Sequence, residues 1–308
     1  MTLIWILFNA FVAAMLALDL GVFHRRAQAL SLRKALAWTG LWISMAAAFA
    51  ALLYVWQGRQ PALDFSAGYV IEFSLSADNL FIFLLIFRYF HLSDPQQYRV
   101  LFWGIIGAIA MRAAFIFVGV GLIHKFHWIL YAFGALLMYS GGRLLFEREI
   151  KVEPEKNRLL RIFRRLLPVT EEYVDGRFFV RREQQLCATP LLLVLLVVET
   201  TDVLFAVDSI PAVLSITLDT FIVYTSNIFA ILGLRSLFFA LSSLMDIFEY
   251  LHYGIACILV FVGFKMIASH YYSIRTETSL AIIGGILLLT ILASLLKKTP
   301  MATDSHGN

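Results

Sequence analysis

Apolar runs of about 20 residues recur along this chain, each broken by a short polar or charged stretch. An α-helix rises about 1.5 Å per residue, so such a run matches the roughly 30 Å hydrocarbon core of a bilayer. The runs predict nine helices, over 3–22, 34–56, 69–88, 99–121, 126–146, 190–213, 219–243, 248–269 and 279–296. Asp246 and Glu249 blur the start of the eighth. The pattern predicts an all-α polytopic membrane protein, with residues 1–308 forming a single transmembrane domain. The opening stretch MTLIWILFNAFVAAML has no basic segment ahead of it and reads as a retained helix rather than a cleaved leader.

The long polar stretch, 147–188, falls between the fifth and sixth runs. In KNRLLRIFRRLL, Leu159, Ile162, Phe163 and Leu166 recur at helical spacing among basic residues. That suits either a helix lying on the inner membrane surface or a plain basic linker. Farther on, YVDGRFFV predicts a small hairpin about Asp175-Gly176.

Composition agrees with the pattern. Of 308 residues, 60% are hydrophobic and 15% charged, against about 45–50% and about 25% in soluble domains. The formal net charge of +4 does not point to nucleic acid, because the basic residues are sorted by side. Arg25, Arg26, Arg33, Lys34, Arg88, Arg99, eleven residues from Arg143 to Arg182, Lys297 and Lys298 fall on one side, nineteen in all. Only three, Arg59, Lys125 and Arg275, fall on the other. The positive-inside rule then puts the N-terminus outside and the C-terminus in the cytoplasm.

Several chemistries are excluded. The two cysteines, Cys187 and Cys257, form no CxxC pair, so neither a disulfide framework nor a thiolate metal site is expected. No Gly-rich phosphate loop followed by Lys and Ser/Thr is present. An intramembrane aspartyl protease would need a YD and a GxGD on facing helices, and a phospholipid-headgroup transferase a denser acidic motif; both are missing. The chain is therefore not expected to be an enzyme or to hold a resident cofactor.

Three landmarks repeat at nearly one spacing. Asp78 in SADNLFIF matches Asp202 in TTDVLFAV, 124 residues on. Arg112 matches Arg235, 123 on, and Arg143 ending LLMYSGGR matches Lys265 ending ILVFVGFK, 122 on. Residues 69–146 and 190–269 thus read as two copies of a three-helix unit. Three is odd, so the copies cross in opposite directions, an inverted repeat of the kind secondary transporters use.

The intramembrane acids carry the candidate chemistry. VIEFSLSADNLFIF holds Glu72, Asp78 and Asn79, and VVETTDVLFAVDSIP holds Glu199, Asp202 and Asp208. An isolated Asp at a helix centre costs about 2.5–3.5 kcal/mol on insertion scales, so these groups need a partner, and a cation is the simplest. Asp78, Glu199, Asp202 and Asn227 lie near the midplane at about 1.5 Å per residue, whereas Glu72 and Asp208 lie nearer the outside. At about 100° per residue, Asp208 points about 120° from Asp202, and Glu72 about 120° from Asp78. A local break at Pro211, which leaves the Val207 carbonyl without its intrahelical donor, could bring them to one ion. Ser74, Ser76 and Ser209 could supply further oxygens. The donors are all oxygen, which suits Mn²⁺, Mg²⁺ or Ca²⁺ over Zn²⁺ or Cu.

EFSLSADNLFIF, TPLLLVLLVVETTDVLFAVDSIPAVLSIT and TSNIFAILGLRSLFF, with LDLGVFHR near the end of the first run, resemble the TerC family of integral membrane proteins, closest to its Alx-like branch. The resemblance implies Mn²⁺ efflux at the bacterial cytoplasmic membrane, an association with tellurite resistance, and kinship with cation exporters built from inverted three-helix repeats. It places the family's acidic positions at Glu72, Asp78, Glu199, Asp202 and Asp208, with Asp19 in the LDLG stretch. The partners expected are a divalent cation, membrane lipid and, as a coupling ion, protons. The residues leave alternatives open. The acids could be structural ion pairs with Arg112, Arg235 or Lys265, in a scaffold linked to tellurite or alkaline stress. Arg112 and Arg235 could instead gate the site. Asp19 could be interfacial, Asn227 a helix–helix contact, and Glu72 and Asp208 parts of an exit path. The sequence sets no oligomeric state.

Overall fold

The structure, a computed structural model, describes residues 2–24, 32–146, 163, 168–170, 172–174, 176–182, 185–242, 251–269 and 274–297. Among these it contains nine helices: α1 (Thr2–His24), α2 (Leu32–Gln57), α3 (Arg59–Tyr89), α4 (Asp94–Lys125), α5 (Ile129–Phe146), α6 (Pro190–Leu214), α7 (Thr220–Ser242), α8 (Leu251–Ala268) and α9 (Thr276–Lys297). Eight are long and apolar enough to cross a membrane, and α1 contributes a shorter apolar stretch, Thr2–Leu18. The protein is an all-α polytopic membrane protein, as the hydropathy pattern predicts. Large apolar side chains such as Leu7, Val55 and Leu289 remain exposed on α1, α2 and α9, the surface a bilayer would cover.

Two helices are longer than the sequence pattern suggests. α3 begins at Arg59, ten residues before the expected start at 69, and runs 31 residues, about 46 Å. Polar residues do not stop it because they are satisfied where they stand. Gln60 Nε2 donates to Asp64 Oδ1 at 2.9 Å and to Thr276 Oγ1 at 3.0 Å, and Thr276 Oγ1 donates to Asp64 Oδ1 at 2.9 Å. The joint with α2 is one residue, Gly58, at φ +97°. Its N–H reaches back to the Leu53 and Tyr54 carbonyls at 3.2 and 3.1 Å, a helix end for which glycine is suited. α4 starts early too, at Asp94, where the Ser93 N–H donates to Gln96 Oε1 at 2.9 Å and a proline sits in the first turn.

A two-stranded antiparallel sheet precedes α6: β1 (Phe179–Arg182) pairs with β2 (Gln185–Ala188), with Val180 opposite Cys187. The expected turn at Asp175-Gly176 does form around Gly176, at φ +66°, with Arg177 N–H donating to the Val174 carbonyl at 2.8 Å. The ladder lies one step downstream, because the residues before the turn are held elsewhere. Tyr173 Oη donates to the Phe90 carbonyl at 2.7 Å and Arg99 Nη1 to the Gly176 carbonyl at 2.7 Å. These two bonds pin the segment before β1 to the α3–α4 turn and the start of α4. Burial raises the Tyr173 hydroxyl above the ordinary phenol range, so it stays a donor. Tyr173→Phe is expected to cost about 1 kcal/mol and to speed proteolysis of the segment around β1 and β2 in detergent-solubilised protein. Of KNRLLRIFRRLL only Phe163 lies within the described residues, and Asp246 and Glu249 lie outside them.

α3 and α7 are the most enclosed helices and pack on each other. α4 packs on α6 and α7, α3 on α6, and α5 on α8. If α3 is exchanged with α6, α4 with α7, and α5 with α8, this pattern maps onto itself. The α5–α8 crossing obeys the same exchange. A Cβ on Gly134 would lie 2.8 Å from the Gly263 carbonyl, and one on Gly141 2.7 Å from the Ala256 carbonyl. Adding 122 takes Gly134 to Ala256 and Gly141 to Gly263, so one contact becomes the other. The pairing is antiparallel, as a two-fold axis across the helices requires. Gly263→Leu would force a side chain into the partner backbone, with an expected loss of at least about 1–3 kcal/mol, read as a lower melting temperature in detergent.

Candidate functional site

A fully buried arginine on α4 stands at the centre. Arg112 Nη1 contacts Glu72 Oε1, and also donates to Ser209 Oγ at 3.2 Å and Asn227 Oδ1 at 3.3 Å. Its Nη2 and Nε reach the two oxygens of Asp202 at 3.2 and 3.5 Å, a two-pronged grip that suits the planar guanidinium. Glu72 is completed by Ser76, one turn on, whose Oγ donates to Oε1 at 3.0 Å, and by Asn227 Nδ2, which donates to Oε2 at 2.9 Å. The cage draws on α3, α4, α6 and α7. The cage sets two carboxyl groups against one guanidinium.

Two cavities flank the cage. The larger, about 120 Å³, is lined by Asp78 and Asn79 of α3, Ser140 of α5, and Asp208 and Ser209 of α6, with apolar walls from α8. Ser140 Oγ donates to Asp208 Oδ1 at 2.8 Å. The volume holds a few waters or a partly hydrated ion. The smaller, about 20 Å³, lies among α3, α4, α6 and α7 and is lined by Glu199, Asp202 and Arg235. The Arg235 guanidinium also lies over the Tyr98 ring, 4.6 Å from its centroid. Asp202 belongs to both the cage and the smaller cavity, and Ser209 to both the cage and the larger one. Arg112 therefore sits between the two.

The seven expected ligands do not meet at one point. Glu72, Asp202 and Asn227 hold Arg112; Asp78, Asn79 and Asp208 line one cavity; Glu199 lines the other with Asp202. Among the described residues no group of three His, Cys, Asp or Glu side chains stands ready to hold a metal ion. The expected break at Pro211 is absent: α6 runs unbroken from Pro190 to Leu214 with Pro211 in its last turn, and α3 is continuous through Glu72–Asn79. The 120° offsets within each helix instead send its acids to different spaces. Ser74 donates its hydroxyl to the Val70 carbonyl at 2.6 Å. Asp19 lies on α1, with its side chain outside the described residues. Ser140 and Tyr98 are not legible as site residues in the sequence; a hydroxyl beside Gly141 and Gly142 is the only signal for the first, and the second has none.

The fold and the buried carboxylates define a multi-pass integral membrane protein with charged side chains buried at its centre. The chain belongs to the TerC family: the model described as "Integral membrane protein TerC family" matches residues 57–301. It is 48% identical over 301 residues to an uncharacterized membrane protein of Myxococcus xanthus, covering 98% of this chain and 94% of that one. It is 43% identical over 299 residues to the Escherichia coli K12 protein named putative membrane-bound redox modulator Alx, covering 94% and 93%. An uncharacterized membrane protein of Rickettsia bellii is 38% identical over 294 residues, covering 96% and 97%. No solved structure matches.

Proposed function

We propose that this protein exports a divalent cation, Mn²⁺, across a bacterial cytoplasmic membrane in exchange for protons. The observation that carries the reading is the grouping of oxygen donors about the cage: Glu199 and Asp202 line one cavity, Asp78, Asn79 and Asp208 line another, and Arg112 with Glu72 and Asn227 stands between the two. The donors are all oxygen, the set that hard divalent ions prefer. Asp78 and Glu199 make no hydrogen bond or ion pair to a described residue, so their oxygens remain for a cargo ion. A carboxylate that gives up the metal can take a proton, which supplies the exchange. The N-terminus lies outside and the C-terminus in the cytoplasm, by the loop charges. The two units, 69–146 and 190–269, are an inverted repeat joined by the cytoplasmic segment 147–188. The self-exchanging packing pattern supports this.

The Arg112 cage favours a second reading, a scaffold or assembly partner whose acids are structural. That reading accounts for Glu72 and Asp202, and for Asp208 through Ser140, and leaves Asp78 and Glu199 facing cavities without cause. The name of the E. coli relative, a putative redox modulator, brings in a thiol device as a further reading. A thiol device fits less well, because Cys187 on β2 and Cys257 on α8 stand on different elements and form no CxxC pair.

Sealed proteoliposomes loaded separately with Mn²⁺, Ca²⁺ and Mg²⁺ and an internal pH dye test the proposal. Mn²⁺ movement with opposing proton movement is expected. Metal flux that leaves pH unchanged removes the proton exchange, and absence of flux for every metal favours the scaffold.

A further inference from the structure

We propose that Arg235 and Asp78 form a second ion pair, the two-fold counterpart of Arg112–Asp202, when the protein faces the opposite side of the membrane. The inference rests on the transporter reading and on the repeat. Under the exchange that maps the packing onto itself, Arg112 of α4 becomes Arg235 of α7, and Asp202 of α6 becomes Asp78 of α3. The α4–α6 contact that carries Arg112–Asp202 becomes the α3–α7 contact, which is already among the most extensive in the bundle.

The two repeats nevertheless differ at these equivalent positions. Arg112 is closed on Asp202 at 3.2 Å. Its counterpart Arg235 lies over Tyr98 and lines the smaller cavity, while Asp78 lines the larger one. Inverted repeats give two states when the halves trade conformations about a fixed site. Trading them here opens Arg112 from Asp202 and closes Arg235 on Asp78. Each arginine then neutralises one central aspartate in turn, so that one of the pair faces a cavity and the other is held.

The test reads conformation, not transport. In a Cys187→Ser, Cys257→Ser background, single reporters at repeat-related positions, Leu101→Cys in the cytoplasmic half of α4 and Tyr224→Cys in the outer half of α7, are labelled with a small methanethiosulfonate reagent in metal-free buffer. Removing the pair of the opposite state biases the protein toward the state described here. Arg235→Gln and Asp78→Asn are each expected to shift the ratio of the two labelling rates by about tenfold in one direction, with the double variant shifting it no further. Arg112→Gln is expected to shift it the other way. Additive effects of Arg235→Gln and Asp78→Asn, opposite directions for those two, or no shift for either overturns the pair. So does a shift by Arg112→Gln in the same direction as Arg235→Gln. If Arg112→Gln does not fold, the Arg235–Asp78 comparison decides alone. Labelling needs no flux, so a failed transport assay and a failed pair are told apart.

Discussion

Arg112→Gln is expected to lose about 3–5 kcal/mol of stability, the range found when one partner of a buried ion pair is removed. The substitution strands Glu72 and Asp202, which are 0% and 5% exposed. Glutamine can return one hydrogen bond but no charge. Adding Glu72→Gln is expected to recover part of the loss, because it removes one stranded carboxylate and keeps an oxygen for Ser76. Thermal unfolding in detergent, followed through the six tryptophans, measures both. A change below about 1 kcal/mol for Arg112→Gln would mean the cage is solvated, and that the arginine does not hold α3, α4, α6 and α7 together.

The double substitution Asp78→Asn with Asp208→Asn is expected to do the reverse. It should cut Mn²⁺ flux by at least about a hundredfold, since each change removes a charged oxygen donor from the ion's path. It should leave the melting temperature nearly unchanged. Asp78 has no ion-pair partner among the described residues. At the other position, Asp208→Asn keeps an amide oxygen for the Ser140 hydroxyl, whose bond Asp208 now accepts at 2.8 Å. The contrast with Arg112→Gln separates the two roles of buried charge in this protein. On the proposed function, groups in the cage hold the bundle and groups in the cavities are open to cargo.

The membrane class, the helix count and the acidic helices were legible in the chain because each rests on local pattern. Twenty apolar residues in a row have one economical fate, and a carboxylate within them needs a reason. The α3 start was not legible, because hydropathy treats Arg59, Gln60 and Asp64 as a break, while Thr276, over 200 residues away, satisfies two of them. Angular arithmetic correctly set Asp208 apart from Asp202. It could not say what each would face, since that depends on which neighbour packs against each side of α6. From the sequence Glu72 reads either as a ligand or as part of an exit path, yet it anchors Arg112, because helix rotation and the inward reach of Asn227 decide its surroundings. The three spacings propose a repeat, and the Gly134–Gly263 and Gly141–Ala256 contacts are related by the same offset of 122.

The most direct test of the central claim is Mn²⁺ flux in proteoliposomes by the wild type and by the Asp78→Asn, Asp208→Asn protein, both checked for an unchanged melting temperature. Flux in the wild type and its loss in a stable double variant is the predicted result. Equal flux in both, or none in a well-folded wild type, would contradict a transport path through the cavity carboxylates.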